Sequence, residues 1–117
     1  MGTFTRDNTE LAIDLDGLGQ QYRAVAGGMT IALERWNAGL DTGEMFAELP
    51  GGACQEPHFG YVVDGSVTIR YADGESEVLS RGQAYYIRPG HNVHVDKDVE
   101  FVEFTPADAT PGINTLQ

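Results

Sequence analysis

Residues 58–91 read HFGYVVDGSVTIRYADGESEVLSRGQAYYIRPGH, and this stretch decides the fold. Short runs rich in Val, Ile and Tyr alternate apolar with polar side chains, as half-buried β-strands do. Glycine-containing dipeptides separate the runs at intervals of roughly ten residues: Asp64-Gly65, Asp73-Gly74, Arg81-Gly82 and Pro89-Gly90. We interpret the two Asp-Gly dipeptides as hairpin turns. The spacing predicts an all-β, antiparallel sandwich or barrel.

The flanking sequence continues this pattern on both sides. Met29, Ile31 and Leu33 alternate with more polar residues, which predicts a strand up to Trp36. Residues 99–104 predict a last strand with apolar residues on both faces, after a polar break at 96–98.

The chain divides into three predicted segments. Residues 1–28 form an N-terminal arm with a weak edge strand over 11–15, and residues 29–105 form the barrel. Residues 106–117 form a C-terminal tail, because Pro106 and Pro111 discourage regular structure.

Composition bounds the function. The chain has 117 residues, 41% of them hydrophobic, and a formal net charge of −11, which indicates one acidic globular domain. Its negative field repels phosphate backbones and anionic headgroups, so we expect neither nucleic acid nor a membrane surface as partner. The small size favours a homodimer that buries more apolar surface. The polar start, MGTFTRDNTE, and the single Cys54 indicate a cytoplasmic location.

These features resemble the central part of a cupin over residues 50–104. The resemblance lies in a strand that ends in Val62-Val63-Asp64-Gly65, and in Gly82 opening an aromatic strand that ends at Pro89-Gly90. It implies an antiparallel jelly-roll β-barrel with a small-molecule site inside the barrel mouth. It also implies a homodimer.

The first metal motif of cupins, G-x5-H-x-H-x3,4-E-x6-G, is only partly matched. Gly65 fits the final glycine, which puts His58 where the family has its glutamate. The two histidine positions then fall on Gly52 and Cys54, or on Gly51 and Ala53 with the longer spacer.

The second motif, G-x5-P-x-G-x2-H-x3-N, is matched only by Gly82 and Gly90. Its proline, histidine and asparagine positions hold Arg88, Val93 and Lys97. The usual ligand set is therefore not present in its usual positions.

Strand alternation suggests a different site. Cys54, Glu56 and His58 are evenly spaced, which predicts side chains on one face. The resemblance implies that this face is the barrel interior, because His58 occupies the position of the cupin glutamate, and it likewise implies that position 93 faces inward. His91 shares parity with the inward position 93, whereas His94 has the opposite parity and is expected to face outward. We therefore predict a metal site formed by His58, His91 and Glu56, with Cys54 and Tyr86 lining the pocket.

Two imidazoles and one carboxylate bind a divalent ion with open positions. A thiolate ligand from Cys54 would favour zinc, whereas its exclusion would allow iron, manganese or nickel. Cys54 as a small buried hydrophobe is the other interpretation. Three functions remain open: a metal-dependent enzyme acting on a small organic molecule, a non-catalytic small-ligand-binding cupin, and a dimeric accessory protein with a filled barrel.

Overall fold

The computed structural model describes residues 2–107, which fold into antiparallel β-structure. The elements in chain order are β1 (Glu10–Leu15), β2 (Gly19–Ala26), β3 (Met29–Trp36), α1 (Thr42–Met45), a 3-10 turn (Pro50–Gly52), β4 (His58–Tyr71), β5 (Ser76–Ser80), β6 (Ala84–Ile87) and β7 (His91–Pro106). Among the described residues, no helix has the length and apolar character needed to cross a membrane.

Two long strands build the architecture. The strand order is β1-β2-β3-β7-β4-β5, and β6 pairs with the free side of β4. β4 pairs with β7 along most of its length, while its first half also pairs with β6 and its second half with β5. Because β4 and β7 each run through both layers, they join two facing layers into an antiparallel jelly roll. The hydrogen-bonded sheet does not close into a continuous barrel.

The predicted hairpin at Asp64-Gly65 is wrong. β4 continues through this dipeptide, and the register against β7 shifts between Val62 and Val67. Gly65 has a φ of 82°, and a Cβ placed on it would collide with the backbone of Asp98. The glycine therefore serves a bulge where two strands approach closely, which also bends the strand from one layer to the other. The predicted break at 96–98 likewise lies inside β7.

The N-terminal segment holds more structure than predicted. The edge strand expected over 11–15 is present as β1, at the end of the sheet. β2 was not predicted, and it pairs along its whole length with β3.

The interior between the layers holds both apolar and polar buried side chains. Among residues 2–107, nine buried apolar side chains form one cluster: Trp36, Leu40, Val62, Val67, Ile69, Leu79, Ile87, Val95 and Val99. The buried polar side chains include Gln21, Glu34, Glu56, His58, His91, Glu103 and Thr105. Because burying polar groups costs free energy, this second set marks the interior surface to examine for function.

Candidate functional site

Three potential metal ligands converge where β4 and β7 begin. His58 is the first residue of β4 and His91 the first of β7, while Cys54 forms an antiparallel bridge with His91. All three are buried, and one ligand atom from each lies within 4.8 Å of the others. The Sγ of Cys54 lies 3.5 Å from Nε2 of His58.

The backbone fixes the orientation of His91. Its Nδ1–H donates to the carbonyl oxygen of Arg88 at 2.8 Å, so the lone pair of the neutral ring is on Nε2. Burial lowers the pKa of His91 to about 4, and the neighbouring His58 adds to this effect. The ring is therefore neutral near pH 7, which is the form that binds metals.

His58 is held in the same manner. Its Nδ1 lies 2.8 Å from the hydroxyl oxygen of Thr105 and 3.6 Å from Oε2 of Glu103. Its Nε2 is thereby directed towards Cys54. Metal-binding histidines typically have such an outer partner, which fixes the ring and its tautomer.

The separation of Cys54 and His58 fits a small divalent ion. Tetrahedral zinc, with Zn–S near 2.3 Å and Zn–N near 2.0–2.1 Å, places a sulfur and a nitrogen ligand about 3.5 Å apart. The Cys54–His58 separation of 3.5 Å equals this value. Three protein ligands leave a fourth position for water or substrate, as in catalytic zinc sites.

Glu56, the predicted carboxylate ligand, lies outside this group. It is buried, but it is not among the residues whose ligand atoms converge. Desolvation raises its pKa, and the charge of Glu103 raises it further. The even spacing of Cys54, Glu56 and His58 does not bring their side chains together. Strand alternation does not apply to the first two residues, because β4 begins only at His58. Cys54, predicted as a pocket residue, is the third member instead.

Tyr86 does not line the pocket as predicted, whereas its neighbour Tyr85 does. Tyr86 is 49% exposed and packs on Phe59 at a ring distance of 4.9 Å, on the outer face of the sheet. Tyr85 points inward and lines the cavity, because consecutive strand residues face opposite sides. His94 lies outside, as predicted, with its Nδ1 3.1 Å from Asp41.

A narrow cavity of about 50 Å³ extends from His58 and His91 into the interior. Most of its wall is apolar, and its polar end also includes Glu34, Glu103 and Tyr85. The hydroxyl of Tyr85 donates to Oε1 of Glu103 at 2.8 Å. Burial raises the pKa of Glu103 to about 7 and that of Tyr85 well above its ordinary value.

Gly60 gives Tyr85 the room for this contact. The residue lies between Glu103 and Tyr85 in the strand register, and a Cβ on it would collide with the tyrosine ring. A side chain at this position would push the phenol away from the carboxylate.

The sequence interpretation missed Glu34, Glu103 and Tyr85. A signal for the two carboxylates was available: Glu34 shares parity with Trp36 in one apolar strand, and Glu103 shares parity with Phe101 in another. A carboxylate at an inward position of an apolar strand is costly unless it has partners. Glu34 accepts hydrogen bonds from Trp36 at 2.7 Å and from Gln21 at 3.0 Å.

Comparisons with known proteins identify the fold. No family model and no curated protein matches the chain. Ectoine synthase from P. lautus superposes with a TM-score of 0.68 at 15% identity, covering 92% of this chain and 78% of that one. An RmlC-like cupin from Shewanella frigidimarina matches with a TM-score of 0.64 at 18% identity, covering 91% of each chain. The chain has the cupin fold.

KdgF from Halomonas sp. is a further cupin-fold match, with a TM-score of 0.63 at 18% identity over 90% of this chain and 94% of that one. Identities this low show the shared fold, while function has to be argued from the site.

Proposed function

We propose that the protein is a metal-dependent cupin enzyme that acts on a small organic molecule in its interior cavity. The proposed ligands are Cys54, His58 and His91, and zinc fits this donor set best because a thiolate is included. The observation that carries the proposal is the approach of three buried ligand atoms to within 4.8 Å of one another.

Each residue of the site has a definable part in this proposal. The Arg88 carbonyl and the Thr105 hydroxyl hold the two imidazoles with their Nε2 atoms towards Cys54. Tyr85 keeps its proton because of its raised pKa and fixes the carboxyl group of Glu103 beside the cavity. A bound metal ion would act as a Lewis acid on a substrate oxygen or on water. The apolar wall excludes bulk water from the reacting group.

Elemental analysis of protein purified without a histidine tag tests this proposal. We expect nearly one equivalent of metal in the wild type, and its loss in His58→Ala and His91→Ala. His94→Ala is the matched control, since this imidazole lies on the same strand as His91 but on the outer face of the sheet. A protein that binds none of zinc, iron, manganese or nickel, or that loses metal equally in the control, would refute the proposal.

We also propose a homodimer that covers the outer face of β4, β6 and β7. Four aromatic side chains on this face are between 38% and 51% exposed: Phe59, Tyr61, Tyr86 and Phe104. Phe59 is the direct cross-strand neighbour of both Tyr86 and Phe104, so the side chains form one patch. Exposed apolar patches of this kind mark interaction sites.

A cytoplasmic location fits the same site. A Cys54 thiol that serves as a metal ligand has to stay reduced, and the cytosol maintains thiols in this state. Recovery of the protein from an exported fraction with a processed N-terminus would contradict this proposal.

A further inference from the structure

We infer that the cavity selects a small amine, with the ammonium group bound to Glu103 and the hydrocarbon part on the apolar wall. The inference deepens the proposed function, because it names the substrate class for the same site. It rests on three properties of the cavity: the residue types of its wall, an unused hydrogen-bond acceptor, and its size.

The residue types of the wall disfavour an anionic ligand. Two carboxylates, Glu34 and Glu103, line the cavity within the described part of the chain, together with His58, His91 and Tyr85. Neither lysine nor arginine is among these lining residues. A carboxylate or phosphate ligand would lose its hydration in this space without a lysine or arginine side chain on the wall as partner, which is unfavourable.

Glu103 offers the hydrogen-bond acceptor that an ammonium group needs. Its Oε1 accepts from Tyr85, whereas its Oε2 is buried without a hydrogen-bond partner among residues 2–107. The nearest imidazole nitrogen, Nδ1 of His58, is 3.6 Å away and already lies 2.8 Å from Thr105. A donor on the ligand would satisfy this oxygen, and a buried acceptor without a donor is unfavourable.

Glu34 provides the contrast. Both of its oxygens already accept hydrogen bonds, from Trp36 and from Gln21. A ligand would have to break one of these bonds to reach Glu34, so Glu103 is the binding group.

The size of the cavity limits the ligand. The cavity has a volume of about 50 Å³. A site for one water molecule needs roughly 10–15 Å³ of cavity volume, so the cavity holds about four non-hydrogen atoms. Away from Glu103 the wall is formed by aliphatic and aromatic side chains, among them Val62, Ile69, Leu79 and Phe101. A short alkyl chain with one ammonium end matches both the length and the polarity of this space.

Three probes of equal size test the inference: propylamine, 1-propanol and acetate, each with four non-hydrogen atoms. Their dissociation constants are measured by NMR titration of protein treated with a chelator, because acetate would otherwise also bind the open position of the metal ion. We expect propylamine to bind at least tenfold more tightly than 1-propanol, and acetate to bind more weakly than either. Acetate binding as tightly as the amine, equal binding of amine and alcohol, or no binding of any probe would each overturn the inference.

Glu103→Gln should reduce the preference for amine over alcohol at least fivefold while alcohol binding is retained. Glu77→Gln, at an exposed position of β5, is the matched control and should leave the preference unchanged. A preference that survives in Glu103→Gln contradicts the assignment, and the wild-type comparison remains decisive if this variant does not fold. The metal content of each protein is determined before the chelator is added. A protein that holds no metal at that stage and still prefers propylamine would refute the metal enzyme but not the amine site.

Discussion

The two faces of the sheet formed by β4, β6 and β7 are used in opposite ways. Three pairs of consecutive residues show this contrast: His58 and Phe59, Tyr85 and Tyr86, and Glu103 and Phe104. In each pair the first, polar side chain points into the interior, and the second, aromatic side chain points outward with 38% to 51% of its surface exposed. Soluble domains usually show the reverse pattern.

Stability does not explain this inversion. A buried polar group without a partner costs about 1–3 kcal/mol, and an exposed aromatic ring contributes no burial energy. Both faces are better explained by binding, with a ligand on the inner face and a second copy of the chain on the outer one. Substitutions on each face therefore separate the two roles.

The largest effect is expected from Phe59→Glu on the outer face. Burial of a phenylalanine side chain stabilises by about 1.5–3 kcal/mol, and a symmetric dimer loses two of them. The dissociation constant of the dimer should rise at least about 100-fold. Sedimentation velocity at micromolar concentration should then show a monomer, while the metal content stays unchanged.

Val78→Glu is the control for the outer face. Val78 is 58% exposed on β5, away from the aromatic patch. The dimer should persist in this variant. A wild-type protein that sediments as a monomer would remove the proposed role of the patch.

Cys54→Ser should have the next largest effect, on the inner face. Structural zinc sites with four ligands reach apparent binding free energies of about 10–16 kcal/mol, so one strong ligand accounts for about 3 kcal/mol. Zinc affinity, measured by competition with a chromophoric chelator, should fall about 100-fold. Unchanged affinity would mean that the thiol is not a ligand. The dimer should be unaffected.

Thr105→Val should have a smaller effect on the same site. The valine keeps the shape of threonine but removes the hydroxyl that lies 2.8 Å from Nδ1 of His58. Loss of an outer partner of a metal ligand typically costs 10–100-fold in affinity, and we expect about tenfold because Glu103 is close enough to take over. Thr68→Val, whose hydroxyl bonds Asp96 on the surface, should leave zinc affinity unchanged.

The smallest effect concerns the pH dependence of stability. Burial raises the pKa of Glu34 well above its ordinary value, and the charge of Glu103 adds to this shift. The folded carboxyl group keeps its proton at pH values where the unfolded chain has released it, so stability is lost as pH rises from about 4.5 through the folded pKa. Glu34→Gln removes this loss.

Urea unfolding at pH 5 and pH 8 measures the effect of Glu34→Gln. Relative to the wild type, the variant should be stabilised more at pH 8 than at pH 5, because the wild type alone has to keep or release the Glu34 proton in this range. If Glu34→Gln changed the free energy of unfolding by the same amount at both pH values, this would contradict the raised pKa of Glu34.

The fold could largely be predicted from the sequence, and each error in the prediction has a local cause. The turn spacing and the alternation in β3 and in the second half of β4 sufficed for an antiparallel jelly roll. β2 was missed because its inward positions hold Gln21 and Arg23, so the alternation lacks an apolar face towards the core. Asp64-Gly65 looks like a hairpin because only the contact with the distant Asp98 shows that the glycine serves a bulge.

The site was predictable only in part. Strand parity suggested His58 and His91 as inward residues, and the structure places their rings 5.1 Å apart. The same parity argument does not bring Glu56 to the metal ligands, since residues 55–57 precede the strand. Glu103 comes to the site from the last strand, and its role depends on Gly60 and Tyr85, a long-range arrangement that no local pattern contains.

X-ray absorption spectroscopy at the zinc edge tests the central claim, that the polar inner face holds a metal, most directly. The zinc-loaded wild type should show one sulfur ligand at about 2.3 Å and nitrogen ligands at about 2.0–2.1 Å. In Cys54→Ser the sulfur shell should disappear while the nitrogen shell remains. A spectrum of the wild type with light-atom ligands alone would contradict the site formed by Cys54, His58 and His91.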